Sequence, residues 1–218
     1  MRLLSVILAL VIGTSAAAQE WVSSRGQLDD ETFYRQVACA APAGGNCSKP
    51  LIRWTERSAR DLTVSIRGVD AGYPSRHARD ISAALDAAIA EINAANSGIR
   101  LRRVADGRDA KVGLFLANVR ANTMLEGAGR TQVLGAATVQ VWSNRRSELT
   151  NAAIIFSNNL PRRDIQSVVL EELVQSLGLM TDLRNPFYNN RSIFAEDSNA
   201  TRRLSGQDLM ALRRHYPS

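Results

Sequence analysis

The residues best able to do chemistry lie in residues 164–179, which read DIQSVVLEELVQSLGL. Glu171 and Glu172 are adjacent carboxylates in it, and Gln175 follows Glu171 at helical i, i+4 spacing. Ile165, Val168, Val169, Leu173 and Leu177 recur with the helical period and predict one buried face. On composition alone, Glu171, Glu172 and Gln175 read as the solvent side of an amphipathic helix. Consecutive helical side chains point about 100° apart, so Glu171 and Glu172 do not share a site as a catalytic acid–base dyad does. A protonated Glu171 hydrogen-bonded to Gln175 would act instead as a structural brace.

Other catalytic sets are not written in the chain. It has two histidines, His77 and His215, which read as ordinary surface or helix-end residues without a partner set. No GxSxG nucleophile elbow, phosphate loop or dinucleotide glycine pattern occurs. Cys39 and Cys47 flank Ala-Pro and Gly-Gly turn residues, and their spacing excludes a CxxC redox or metal site. In an oxidising compartment they read as a local disulfide, with two free thiols as the alternative.

Hydropathy patterning supplies the elements that must position these groups. A short helix is expected over residues 28–38, capped by Asp29 or Asp30, with Phe33 and Val37 docking on the body. Alternation predicts half-buried strands at residues 62–67 and 99–104, and a more buried strand at 111–117. Further strands are expected at 136–142 and 151–157, with a loop over 127–135 between them and the earlier ones. Ser75 is expected to cap a helix running to about Asn96, whose apolar face is Ile81, Leu85, Ala88, Ile89 and Ile92. A second long helix is expected over 161–177, ended by Gly178, and a final one over 205–216 with Ser205 and Asp208 as a capping box. The order predicts an α+β fold: a mixed, twisted five-stranded sheet, two long helices and a C-terminal helix. The organisation expected is a leader over 1–18, an N-terminal lead over 19–58 and the main domain over 59–218.

The motif helix resembles that of metzincin zinc peptidases, whose HExxHxxGxxH motif is followed by a Met-turn. Here EELVQSLG replaces both helical histidines: Glu171 takes the first ligand position, Gln175 the second, and Glu172 that of the catalytic glutamate. Gly178 matches the glycine at which the family's chain turns. The third ligand position falls on Thr181, beside Asp182. Arg53-Trp54 followed by LTVSIR is similar to the opening strand of such domains, and residues 191–216 resemble their Met-turn and last helix, with Phe194 near the methionine. The likeness covers residues 53–216, and the ExxQxxGL variant most closely resembles an uncharacterised family of secreted bacterial domains. It implies a metzincin/zincin-like fold without a histidine–zinc site, since catalytic zinc typically takes imidazole nitrogen. If Glu171, Gln175 and Asp182 bound an ion, oxygen ligands would favour Ca²⁺, Mg²⁺ or Mn²⁺. The leading expectation is therefore no cofactor and a peptide- or protein-binding module that uses strand 136–142 as its edge. The alternative is a metal-dependent hydrolase with Glu172 as general base.

Arg2, the apolar run of residues 3–12 and Ala16-Ala17-Ala18 read as a cleaved export signal, too short to span a membrane. Periplasmic or secreted location is the expectation. The formal net charge is +6, almost all of it from arginine. Such a surface suits anionic cell-envelope material as a further partner class. The arginine pairs are dispersed and lack interleaved aromatics, which argues against nucleic acid.

Overall fold

The buried apolar positions of β4 (Leu62–Val69) and β10 (Glu148–Phe156) set the centre of the molecule. Leu62, Val64 and Ile66 are buried on one strand, and Leu149, Ala152, Ile154 and Phe156 on the other. The computed structural model describes residues 15–17, 20–127 and 130–218. Most of the expected leader therefore lies outside the described residues.

The remaining strands are β1 (Ser15–Ala17), β2 (Glu20–Ser23), β3 (Arg53–Trp54), β5 (Leu101–Arg103), β6 (Val112–Leu116), β7 (Thr123–Gly127), β8 (Arg130–Leu134), β9 (Ala137–Ser143) and β11 (Thr181–Arg184). The main sheet has seven strands in the order β1-β9-β10-β6-β4-β5, with β3 pairing the start of β10. Strands β10, β6, β4 and β5 are mutually parallel, whereas β9 and β1 run antiparallel. The five strands expected from alternation are all present, as β4, β5, β6, β9 and β10. The sheet is larger than expected because β1 and β3 have three and two residues, too few to carry a period. The stretch expected as a loop over 127–135 contains β8, which pairs β7 as a separate antiparallel hairpin.

The helices are α1 (Asp30–Cys39), α2 (Glu56–Ala59), α3 (Ser75–Ala94), α4 (Ile165–Gln175) and α5 (Gly206–His215). Asp29 caps α1 by accepting from the Thr32 amide, and Phe33 and Val37 are fully buried. The face Ile81, Leu85, Ala88, Ile89 and Ile92 of α3 is buried as expected, with the helix beginning at Ser75 rather than capped by it. Helix α4 starts at Ile165, four residues later than expected, because residues 162–164 form turns closed by Asp164 N–H to the Pro161 carbonyl. At α5 the capping box does not form: Ser205 makes no side-chain cap bond, and the Asp208 carboxyl turns to other donors. Cys39 and Cys47 form the expected disulfide.

The C-terminal end of α4 is held by a polar knot inside the core. The Trp54 indole N–H donates to the Ser176 carbonyl at 3.1 Å, and the Tyr216 hydroxyl donates to the Leu177 carbonyl at 2.6 Å. Tyr216 in turn accepts the Trp54 amide at 3.0 Å. His215, expected at a helix end or surface, is buried there; Nε2 donates to the Ile52 carbonyl at 2.9 Å, leaving Nδ1 to accept from the Tyr34 hydroxyl at 3.1 Å. Burial lowers its pKa to about 4, so the ring is neutral in neutral solution. The chain reverses at Gly178, where φ is +104° and a Cβ would stand 2.1 Å from the Ile52 carbonyl oxygen and 2.9 Å from His215 Nε2. Gly178→Ala is therefore expected to destabilise the protein by about 3 kcal/mol or more. Urea unfolding followed by tryptophan fluorescence measures this; a loss within about 0.5 kcal/mol, the range of an ordinary surface change, would contradict the close packing at this turn.

Candidate functional site

The acids of α4 do not face solvent. Glu172 and Gln175 are 3% and 1% exposed, and Asp182 on β11 is 1% exposed. Glu171 is partly buried. The solvent-side expectation fails because α4 is covered on more than one side: α3 packs along it, and its C-terminal end is enclosed by the knot described above. Its apolar stripe, Ile165, Val168, Val169, Leu173 and Leu177, is buried as expected.

The expected brace also has a different partner. Gln175 Nε2 donates to Asp182 Oδ1 at 2.8 Å, rather than to Glu171. Strand β11 makes this contact possible, because Gly178 returns the chain after α4 and Asp182 lies in register with Trp21 of β2. Glu172 Oε2 and Gln175 Oε1 are both buried without a hydrogen-bond partner. The structure thus brings Gln175 and Asp182 into direct contact and sets Glu171 and Glu172 close enough to influence each other electrostatically. Thr181, at the third position of the motif, is buried in β11.

Electrostatics favour the protonated form of the acids along this row. Burial, followed by the nearby Asp182 charge, raises Glu172 to about 8. Burial and then Glu196 raise Asp182, against the opposing pull of the Gln175 amide and Lys49. Glu171 is pushed well above the ordinary carboxyl range by burial and then by Asp182, Glu172, Glu196 and Asp208. Desolvation is the shared first cause, since a charged carboxylate in an apolar interior is costly. A protonated carboxyl can donate a hydrogen bond, so near neutral pH the row can act as a set of donors and acceptors. Among the described residues, no group of three or more His, Cys, Asp or Glu residues is arranged to hold a metal ion.

Several surrounding residues were not legible as site residues. Asp208 accepts from the Ser192 hydroxyl at 2.5 Å and from the Ile193 amide at 3.0 Å, and burial raises it to about 7. These bonds lock the turn that carries Phe194, which is fully buried with its ring 6.1 Å from that of Phe33. Gln36 on α1 is fully buried with neither end of its amide partnered. Its position beside Phe33 and Val37 on an otherwise docking helix was the available signal. His77 places Nε2 3.2 Å from the Leu160 carbonyl, just ahead of α4.

The other feature with a functional geometry is the sheet edge. Strand β9 is paired on one side by β10, and on the other by residues of this same chain. Ser15, Ala16 and Ala17 lie antiparallel against Trp142, Val141 and Gln140. A match to a described family runs over residues 31–218, from the first turn of α1 through α5. The chain belongs to the family DUF2927. That family is described as a protein of unknown function, and its span includes α4, β11, β9 and the knot, while β1 and β2 precede it. No curated protein matches the chain.

The raised carboxyls set a pH dependence of defined sign. In the unfolded chain Glu172 titrates near its ordinary value of 4.5, whereas in the fold it holds its proton up to about 8. Its contribution is fully present below the lower value and is lost as pH rises toward the upper one. Each such group contributes a slope of roughly 1.4 kcal/mol per pH unit within that window. Chemical denaturation between about pH 5 and about pH 8 should therefore show the Glu172→Gln protein losing less stability with rising pH than the parent. Parallel curves would mean that Glu172 is already ionised in the fold.

Proposed function

We propose that this DUF2927 protein is an exported, metzincin-like module that binds an extended peptide or protein segment along β9 and does not hydrolyse it. The observation that carries this reading is the antiparallel pairing of Ser15–Ala17 on β9. That pairing supports an edge whose N–H and C=O groups accept an added strand, the mode in which main-chain hydrogen bonds supply affinity. The residues seated there belong to the expected leader, whose removal after Ala18 leaves the edge free for a partner outside the cytoplasm. Among the described residues no helix is long and apolar enough to cross a membrane, and the bridge between Cys39 and Cys47 suits an oxidising compartment.

The metzincin-like part of the proposal rests on the motif register. Glu171, Glu172 and Gln175 occupy the helix, Gly178 reverses the chain with positive φ, and Phe194 sits in the turn ahead of α5. Hydrolysis takes second place because Glu172 is 3% exposed and raised to about 8. A general base must reach water and be ionised in order to take a proton from it.

The test uses a chain that starts at Gln19 and a synthetic peptide of residues 12–18. Calorimetry is expected to show saturable binding, and N-methylation of alternate peptide amides should weaken it about tenfold or more. Glu172→Gln should leave affinity unchanged, with the peptide recovered intact by mass spectrometry. Cleavage by the parent chain that is lost in Glu172→Gln would replace the binding reading with the hydrolase one. Absence of any saturable binding would remove β9 as the docking edge.

A further inference from the structure

A second concave site lies away from α4 and β11. It is a cavity of about 490 Å³ between β3, α2, the turn joining β9 to β10, and the segment following α5. That volume falls within the range of sites for small molecules, roughly 300–1,000 Å³. Its polar wall includes Arg53, Thr55, Arg146 and Ser147, and its apolar wall includes Leu51 and Pro217. The frame around it is fixed. The Arg53 amide donates to the Ser147 carbonyl at 3.3 Å, and Gly98 N–H to the Tyr216 carbonyl at 2.7 Å. A Cβ at Gly98 would stand 2.3 Å from the Pro217 carbonyl oxygen, so the tail is seated closely against this residue.

The cavity is lined by two arginines and two carboxylates. Its two carboxylates are already engaged. Glu56 pairs with Arg60, and Glu148 accepts from the Asn144 amide at 2.7 Å, with Arg146 a further 3.5 Å contact. Arg53 has no carboxylate partner among the described residues, although its positive charge is felt at His215 and Tyr216 on the same wall. The imidazole of His215 is occupied on both nitrogens and is uncharged, so it neither repels nor binds an anion there. A guanidinium presents a planar fork of N–H donors that matches carboxylate and phosphate oxygens in pairs. The Ser147 hydroxyl adds a donor of lower strength, and exposed Leu51 offers an apolar surface beside it.

We propose that this cavity binds a small organic oxyanion, a carboxylate or phosphate monoester carrying a short apolar or aromatic group, with Arg53 as its anchor. The oxyanion sits at the arginine wall and the apolar group lies toward Leu51 and Pro217. Nothing in this site depends on peptide binding at β9, so either reading can fail alone.

The test titrates the isotope-labelled full chain with phenyl phosphate, benzoate and uncharged benzyl alcohol, following the Trp54 indole N–H and the His215 ring by NMR. Saturable shifts are expected with the two anions and not with the alcohol. Arg53→Gln should weaken anion binding about tenfold or more, the effect of losing a charge-assisted hydrogen bond. Arg53→Lys, which keeps the charge and loses the fork, should fall between. Arg57→Gln, an exposed arginine outside the cavity wall, and Glu172→Gln should bind as the parent does. Tighter binding of phenyl phosphate than of benzoate assigns the site to phosphate esters, and the reverse order assigns it to carboxylates. Failure of both anions to saturate, equal shifts from benzyl alcohol, or unchanged affinity in a folded Arg53→Gln protein would each overturn the proposal.

Discussion

Helix α4 ends inside the protein, and the rest of the structure depends on how its terminal carbonyls are satisfied there. A helix leaves its last carbonyls without intrahelical partners, and burying them unpaired is costly. Here the donors arrive from both ends of the chain: the Trp54 indole reaches the Ser176 carbonyl and the Tyr216 hydroxyl reaches the Leu177 carbonyl. These bonds fix β3 and the segment after α5 against α4 in one step. They also set the direction in which Gly178 sends the chain, and so the placement of β11. Asp182 meets Gln175 only because that reversal is tight. The cavity beside Arg53 has the same origin, since Tyr216 and Trp54 form part of its wall.

The acid row follows from a conflict between composition and packing. Glu172 carries a group that prefers water, yet it lies on a helix that α3 and the knot enclose. The fold resolves the conflict by keeping protons on the acids rather than by supplying cations. Lys49 is the basic group that acts on Asp182, and it does not offset desolvation there. A buried carboxyl carries a desolvation cost that an apolar side chain of the same shape would avoid. The unpartnered Glu172 Oε2, Gln175 Oε1 and Gln36 amide share that excess of polar capacity.

Much of this was legible in the chain, and the failures have particular causes. Alternation in LTVSIR and NAAIIFS and the 3.6-residue period in α3 report burial on one face directly, so these elements stand where expected. Asp29 and the disulfide are local, with both partners close in sequence. What could not be read is non-local. The burial of Glu172 depends on neighbours far away in the chain, and the choice of Asp182 over Glu171 by Gln175 depends on a chain reversal. Asp208 reads as part of a capping box because that motif is judged over four residues. Its true donors, Ser192 and Ile193, stand about one loop upstream. Strands β1 and β3 are too short for periodicity and exist only through their partners.

The bonds that close the molecule join residues very distant along the chain. Tyr34 meets His215 across 181 positions, Asp30 meets Gln207 across 177, and Trp54 meets Tyr216 across 162. Contacts of such separation must overcome a large loop entropy before they return any energy, which slows folding. Until the last helix docks, the terminal carbonyls of α4 are available to neighbouring molecules. A polypeptide of this topology therefore spends its most association-prone interval before completion, and its yield depends on how well that interval is shielded from other copies of itself.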